Sequence, residues 1–76
     1  MDIQGFIQNF ADLFEDTDVS VFKPETRFRD LDEWSSLLAL SVLSMVDEEY
    51  DVQLSADEMR RADTIIELFN TVSSKA

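Results

Sequence analysis

Ile3, Phe6, Ile7, Phe10 and Phe14 recur at the i, i+3, i+4, i+7, i+11 spacing of one helical face, with Leu13 beside them and Gln4, Gln8, Asn9, Asp12 and Glu15 elsewhere. Side chains three and four apart line one side of an α-helix, so the pattern predicts an amphipathic helix over roughly residues 2 to 15. An aromatic stripe at this spacing lines either a ligand pocket or a core, and the core reading needs no further residues. A chain of 76 residues has room for one domain, residues 1–76, and at that size it buries only ~60% of the surface its unfolded form exposes. A thin core without a deep pocket is expected.

The helical period returns from Ser36 to Tyr50, where Ala39, Val42, Leu43, Val46 and Tyr50 share a face and form the expected core side. Leu37, Leu38 and Met45 project away from that face among Ser41, Ser44 and Glu48, so this helix is apolar over more than one buried stripe. Ser55-Ala56-Asp57-Glu58 is a capping box that opens a short helix ending near Arg60 and Arg61. Thr64-Ile65-Ile66-Glu67 is a second box, followed by Ile65, Leu68, Phe69 and Val72 at helical spacing and an expected fraying in Ser73-Ser74-Lys75-Ala76. Between the first two helices Pro24 sets a turn, and Val19, Val21, Phe22, Phe28 and Leu31 are expected to pin a long connection to the core. The sum is an all-α, small four-helix bundle, three main helices and one short, with a long first loop.

Composition excludes several functions. No Cys is present, which removes disulfides and thiolate chemistry, and no His, which removes the commonest general base and metal ligand. Self-contained catalysis is therefore not expected, and a hydrolase built on Ser36 has neither a histidine nor a serine-lysine arrangement to activate it. Asp16, Asp18 and Ser20 open like a calcium loop, but Val21 stands where glycine is needed and Arg27 where a bidentate glutamate is needed. Seventeen acids against six bases give a net charge of −11, which repels phosphate backbones and anionic bilayers and favours partners with basic patches. The N-terminal stretch Met1-Asp2-Ile3-Gln4-Gly5 lacks the basic and apolar regions of a leader, and no run approaches the ~18 apolar residues of a membrane span. A soluble, cytoplasmic monomer is expected.

Two features break local rules. The second helix ends in Asp47, Glu48, Glu49 and Asp51, where the macrodipole favours cations, at a cost of about a few tenths of a kcal/mol per exposed charge. Such a cluster is either a solvated charge run or a docking site for Lys and Arg of another protein. Ser35 and Ser36 stand at the start of the same helix without a Glu or Gln three residues on, since those positions are Leu38 and Ala39. As a cap, either serine accepts orphan amide hydrogens and needs no function. As an attachment point, either hydroxyl places a phosphodiester beside amide donors and the positive end of the dipole.

In order, Phe28-Arg29-Asp30-Leu31, Trp34-Ser35-Ser36-Leu37, a helix closing in Asp47-Glu48-Glu49-Tyr50-Asp51-Val52, then Leu54, a short acidic helix and Asp63-Thr64-Ile65 resemble the acyl carrier protein family over essentially the whole chain. The family's attachment motif is Asp-Ser-Leu, and its serine maps onto Ser36. The resemblance implies 4′-phosphopantetheine on Ser36, installed from coenzyme A by a phosphopantetheinyl transferase. The arm's thiol would carry an acyl or aminoacyl group as a thioester to loading and transfer enzymes of fatty-acid, polyketide or other specialised acyl metabolism. Ser35 replaces the family's Asp, and Leu38 and Ser41 are uncharged where carriers are often acidic. The implied partner surface is therefore apolar at Leu37, Leu38 and Met45, uncharged at Ser41 and acidic at Asp47, Glu48 and Glu49, which points to a specialised carrier with dedicated enzymes. The competing expectation is an unmodified helical module of carrier ancestry that offers the same helix to a partner.

Overall fold

The computed structural model describes residues 2–76; Met1, with which the expected N-terminal stretch begins, lies outside them. Four helices follow in order, α1 (Ile3–Ala11), α2 (Ser36–Tyr50), α3 (Ala56–Arg61) and α4 (Ile65–Lys75), with 3-10 turns at Val19–Val21 and Phe28–Asp30 in the long first connection. This is the expected all-α bundle of three main helices and one short one. The radius of gyration, 11.1 Å, is close to the ~11 Å of a single compact globule of this length.

Asp2 caps α1 by accepting from the amides of Gln4 and Gly5, each at 3.3 Å. The helix stops at Ala11, a turn earlier than the sequence pattern predicts. The amides of Leu13 and Phe14 bond back to the carbonyls of Phe10 and Ala11 at 3.2 and 3.0 Å, a tightened turn that keeps Phe14 on the buried face after the α-helix has ended. Phe14 thus extends the apolar period without extending the helix. Phe10 is the hub of the core: its ring lies 5.5 to 6.5 Å from those of Phe6, Phe14, Phe22, Phe28 and Trp34.

The first connection is held at three points. Phe22 and Phe28 are buried and Leu31 packs against them, as expected. Val19 and Val21 are instead 55% and 41% exposed, because Asp18 caps the 3-10 turn that carries them through the Ser20 amide, 2.9 Å, and turns both outward. Glu33 reaches back to accept from the amides of Glu15 (2.9 Å) and Asp16 (3.1 Å) and from the Thr17 hydroxyl (2.7 Å). The Thr17 hydroxyl, with those amides behind it, holds the Glu33 carboxyl below the usual range. At the far end, the Thr26 and Pro24 carbonyls take the first free amides of α4, those of Ile65 (3.1 Å) and Ile66 (2.8 Å), while Arg27 and Thr64 form a single antiparallel bridge.

Both expected capping boxes form, Ser55 with Glu58 and Thr64 with Glu67. At six residues, α3 is too short to persist by itself. It is held by burial of Met59, by Arg29, whose guanidinium donates to the carbonyls of Met59 and Ala62, and by an ion pair from Glu58 to Lys75 at 2.6 Å. The last contact also corrects the expected fraying: α4 continues through Ser73 and Ser74 to Lys75, whose ammonium is anchored on α3.

Candidate functional site

The start of α2 is fixed from behind. The amide of Trp34 donates to the Leu31 carbonyl at 3.0 Å, and its half-buried indole packs on Phe28 at 4.9 Å and stacks against Phe10 and Phe14. Ser35 follows in an extended conformation, and its Oγ accepts from the Leu38 amide at 3.4 Å, so Ser35 is the cap. Ser36, first residue of the helix, is exposed, and among the described residues its hydroxyl makes no hydrogen bond. The two serines, either of which suits a cap on sequence alone, are thus distinct: Ser35 is committed to the backbone, and the hydroxyl of Ser36 is free.

Downstream, α2 is rotated relative to expectation. Its buried centre is Val42, Met45 and Val46, while Ala39, Leu43 and Tyr50 are only half-buried. Met45, expected on the partner surface, is 7% exposed, and Leu38 is half-buried against the core. The apolar side chains that do face outward are Leu37, 74% exposed, and Leu40, 60% exposed, the latter missed in the sequence. Leu37, Leu40, Ser41, Ser44 and Glu48 follow the i, i+3, i+4, i+7, i+11 spacing, so the signal for Leu40 was present but hidden by a helix apolar on nearly every side. Ser41 spends its hydroxyl on the Leu37 carbonyl at 3.1 Å.

Asp47, Glu48 and Glu49 are exposed at the end of α2, and Asp51 closes it in the left-handed conformation, φ 55°. The six cations of the chain are Lys23, Arg27, Arg29, Arg60, Arg61 and Lys75, none of them between Asp30 and Met59. Among the described residues the ion pairs are Arg27–Asp63, Arg60–Asp57 and Lys75–Glu58, so the carboxylates of α2 have no internal counter-ion. Charge is therefore segregated, with α2 uniformly acidic and the cations gathered near α3 and the N-terminal end of α4.

Two open clefts flank α2. One, of about 500 Å³ against α1, is walled by Leu13, Leu37, Leu40, Met45 and Glu48. The other, of about 620 Å³ against α3, begins at Ser36 and is walled by Trp34, Leu40, Leu43, Met59 and Arg60. Ser36 thus opens directly beside an apolar groove. Among the described residues no acidic cluster is placed to hold a metal ion, the Asp16 and Asp18 region included, and no helix is long and apolar enough to cross a membrane. No protein-family model, no curated protein and no solved structure matches the chain.

Proposed function

We propose that this chain is a carrier of the acyl carrier protein type, bearing 4′-phosphopantetheine on Ser36 and presenting an acyl or aminoacyl thioester to partner enzymes. The observation that carries the reading is the division of labour at the start of α2: Ser35 caps the helix through the Leu38 amide, and Ser36 keeps an exposed hydroxyl with no structural duty. A phosphodiester there meets the positive end of a 15-residue helix, and the arm lies beside an apolar groove of about 620 Å³. Chemistry then belongs to the partners, in keeping with a chain that lacks Cys and His. Their grip falls on Leu37 and Leu40, with Ser41 between them and Asp47, Glu48 and Glu49 beyond, a surface suited to an apolar contact rimmed by Lys and Arg. The test is incubation with coenzyme A and a broad-specificity phosphopantetheinyl transferase, followed by intact mass. One phosphopantetheine added to the parent and to Ser35→Ala, and none to Ser36→Ala, is the expected result. No addition to the parent, or addition that survives Ser36→Ala, overturns it.

A further inference from the structure

The two flanks of α2 carry opposite charge. Arg29 and Arg60 line the cleft toward α3, which holds no carboxylate, whereas Asp12, Glu48 and Glu49 line the cleft toward α1, which holds no cation. On the α1 side Leu37 and Leu40 stand 74% and 60% exposed, Leu13, just past the end of α1, lines the same groove, and Ser41 and Ser44 continue the row along α2. We propose that the α1–α2 groove is the seat of an amphipathic helix of a partner protein, one whose apolar ridge is flanked on both sides by Lys or Arg. The proposal rests on the carrier reading for the outer face of α2 and extends it by making α1 the second wall, so that partners approach across α1 and not across α3. The groove itself is the same on the unmodified chain.

The walls are helices, whose interior amides and carbonyls bond within the helix. An extended segment laid between them finds no backbone partners, but a helix satisfies its own. Leu37 and Glu48 are 11 residues apart, roughly 16 Å at ~1.5 Å per residue, so the seat accommodates about three turns. Ser41 and Ser44 are small, which lets a side-chain ridge enter beside Leu37 and Leu40 and the helices approach to the ~8–10 Å of ordinary packing. Ser41 already donates to the Leu37 carbonyl at 3.1 Å, so covering it orphans no donor. The walls stand ready before any partner arrives: Asn9 donates to the Tyr50 hydroxyl at 3.0 Å, and the Phe6 ring lies 5.7 Å from that of Tyr50, which ties α1 to the end of α2. Charge then fixes the flank. The Asp12 carboxylate meets the uncharged amide of Gln8 at 2.8 Å, and among the described residues neither it nor Glu48 nor Glu49 has a counter-ion, so both edges of the groove await cations. Arg29 and Arg60 repel the same helix from the other side.

The experiment titrates the isotope-labelled, unmodified chain, at about 0.15 M salt, with a helical peptide of about 16 residues that bears a leucine ridge between two rows of lysine. A peptide of the same composition, scrambled so that its leucines share no face, controls for charge alone. Both are titrated into the parent, into Asp12→Lys and into Glu25→Lys; Glu25 is exposed in the first connection and lines neither cleft of α2, so the two substitutions change the net charge equally. Asp12 closes α1 at the end where the macrodipole favours a cation, so Asp12→Lys leaves the fold intact, and circular dichroism of both variants checks this. The ordered peptide is expected to bind about tenfold more tightly than the scrambled one and to shift the amides of Asn9, Leu13, Leu40 and Ser44. Asp12→Lys should weaken it about fivefold and Glu25→Lys less than twofold. Equal binding of the two peptides, equal weakening by the two substitutions, shifts confined to Ala56, Met59 and Arg60, or no binding overturns the proposal. Loading of Ser36 is read separately by mass: a chain that loads but does not seat the peptide here keeps the carrier reading and loses this one, and a chain that seats the peptide but does not load does the reverse.

Discussion

Replacing Arg29 by Met keeps an unbranched stem over Phe28 and removes only the guanidinium, whose carbon lies 5.7 Å from that ring's centroid. Two part-buried hydrogen bonds from a charged donor to the Met59 and Ala62 carbonyls are lost. Bonds of this kind contribute about 1.5–3 kcal/mol each when well desolvated. Arg29 itself is exposed and water can replace it at each carbonyl, which brings the pair to about 2 kcal/mol. In a domain of this size that corresponds to a fall in Tm of roughly 8–16 °C. The loss should also be local, because both carbonyls lie at the C-terminal end of α3, a six-residue helix whose other supports, its capping box and the Glu58–Lys75 pair, act at its N-terminal half. Hydrogen exchange at the α3 amides should therefore accelerate by up to about thirtyfold, as 1.4 kcal/mol is a factor of ten, and by more than exchange in α1 or α4. Arg29→Lys, a compact ammonium that cannot span both carbonyls, should recover roughly half. A Tm change below about 2 °C in Arg29→Met, or uniform acceleration of exchange with no preference for α3, would refute the view that this side chain fastens the short helix.

Ser35→Ala should lower stability by about 0.5–1 kcal/mol in urea titration, the lower part of the N-cap range because its bond is long at 3.4 Å. Ser36→Ala should be neutral or slightly stabilising, and the reverse order would mean that the cap has been assigned to the wrong serine. Glu58 is held down to about 2 from an ordinary 4.5, first by the Lys75 ammonium and next by the Ser55 amide. The unfolded chain takes up that proton at the ordinary value, so the contribution of Glu58 is complete above pH 4.5 and is lost as pH falls toward 2. The urea midpoint should drop less over that window in Glu58→Gln than in the parent; parallel profiles would count against the pair. Asp51 occupies φ 55° at the acidic end of α2, so Asp51→Gly should stabilise by about 1 kcal/mol, with Asp51→Asn isolating the part due to charge; destabilisation by both would show an unseen role for the carboxylate.

Much of the architecture was legible because it rests on local signals. The boxes at Ser55 and Thr64 and the stripe of Phe6 and Phe10 name their own structure within a few residues. What was hidden depends on contacts distant in sequence. Glu33 closes the turn after α1 from 17 and 18 residues away, and nothing in its own neighbourhood announces this. Arg29 meets Met59 and Ala62 across 30 and 33 residues. In α2 the difficulty was of another kind: apolar residues on nearly every side leave its rotation undetermined until neighbours are known, hence the exchange of Met45 for Leu40 on the outer face. The candidate site was legible as a place, Ser35-Ser36, but only the conformation at Ser35 separates the cap from the free hydroxyl.

The carbonyls of Pro24 and Thr26 accept from Ile66 and Ile65, so an early loop is completed by a late helix. Synthesis runs from the N-terminus, and those two amides are made 42 and 39 residues after the carbonyls that they meet. The ring neighbours of Phe22 and Phe28, namely Phe10, Phe14 and Trp34, are all made before α4, so the aromatic cluster precedes the backbone contact that closes the loop. The first loop is therefore completed only when α4 is, and its conformation depends on a helix distant in sequence as much as on its own residues.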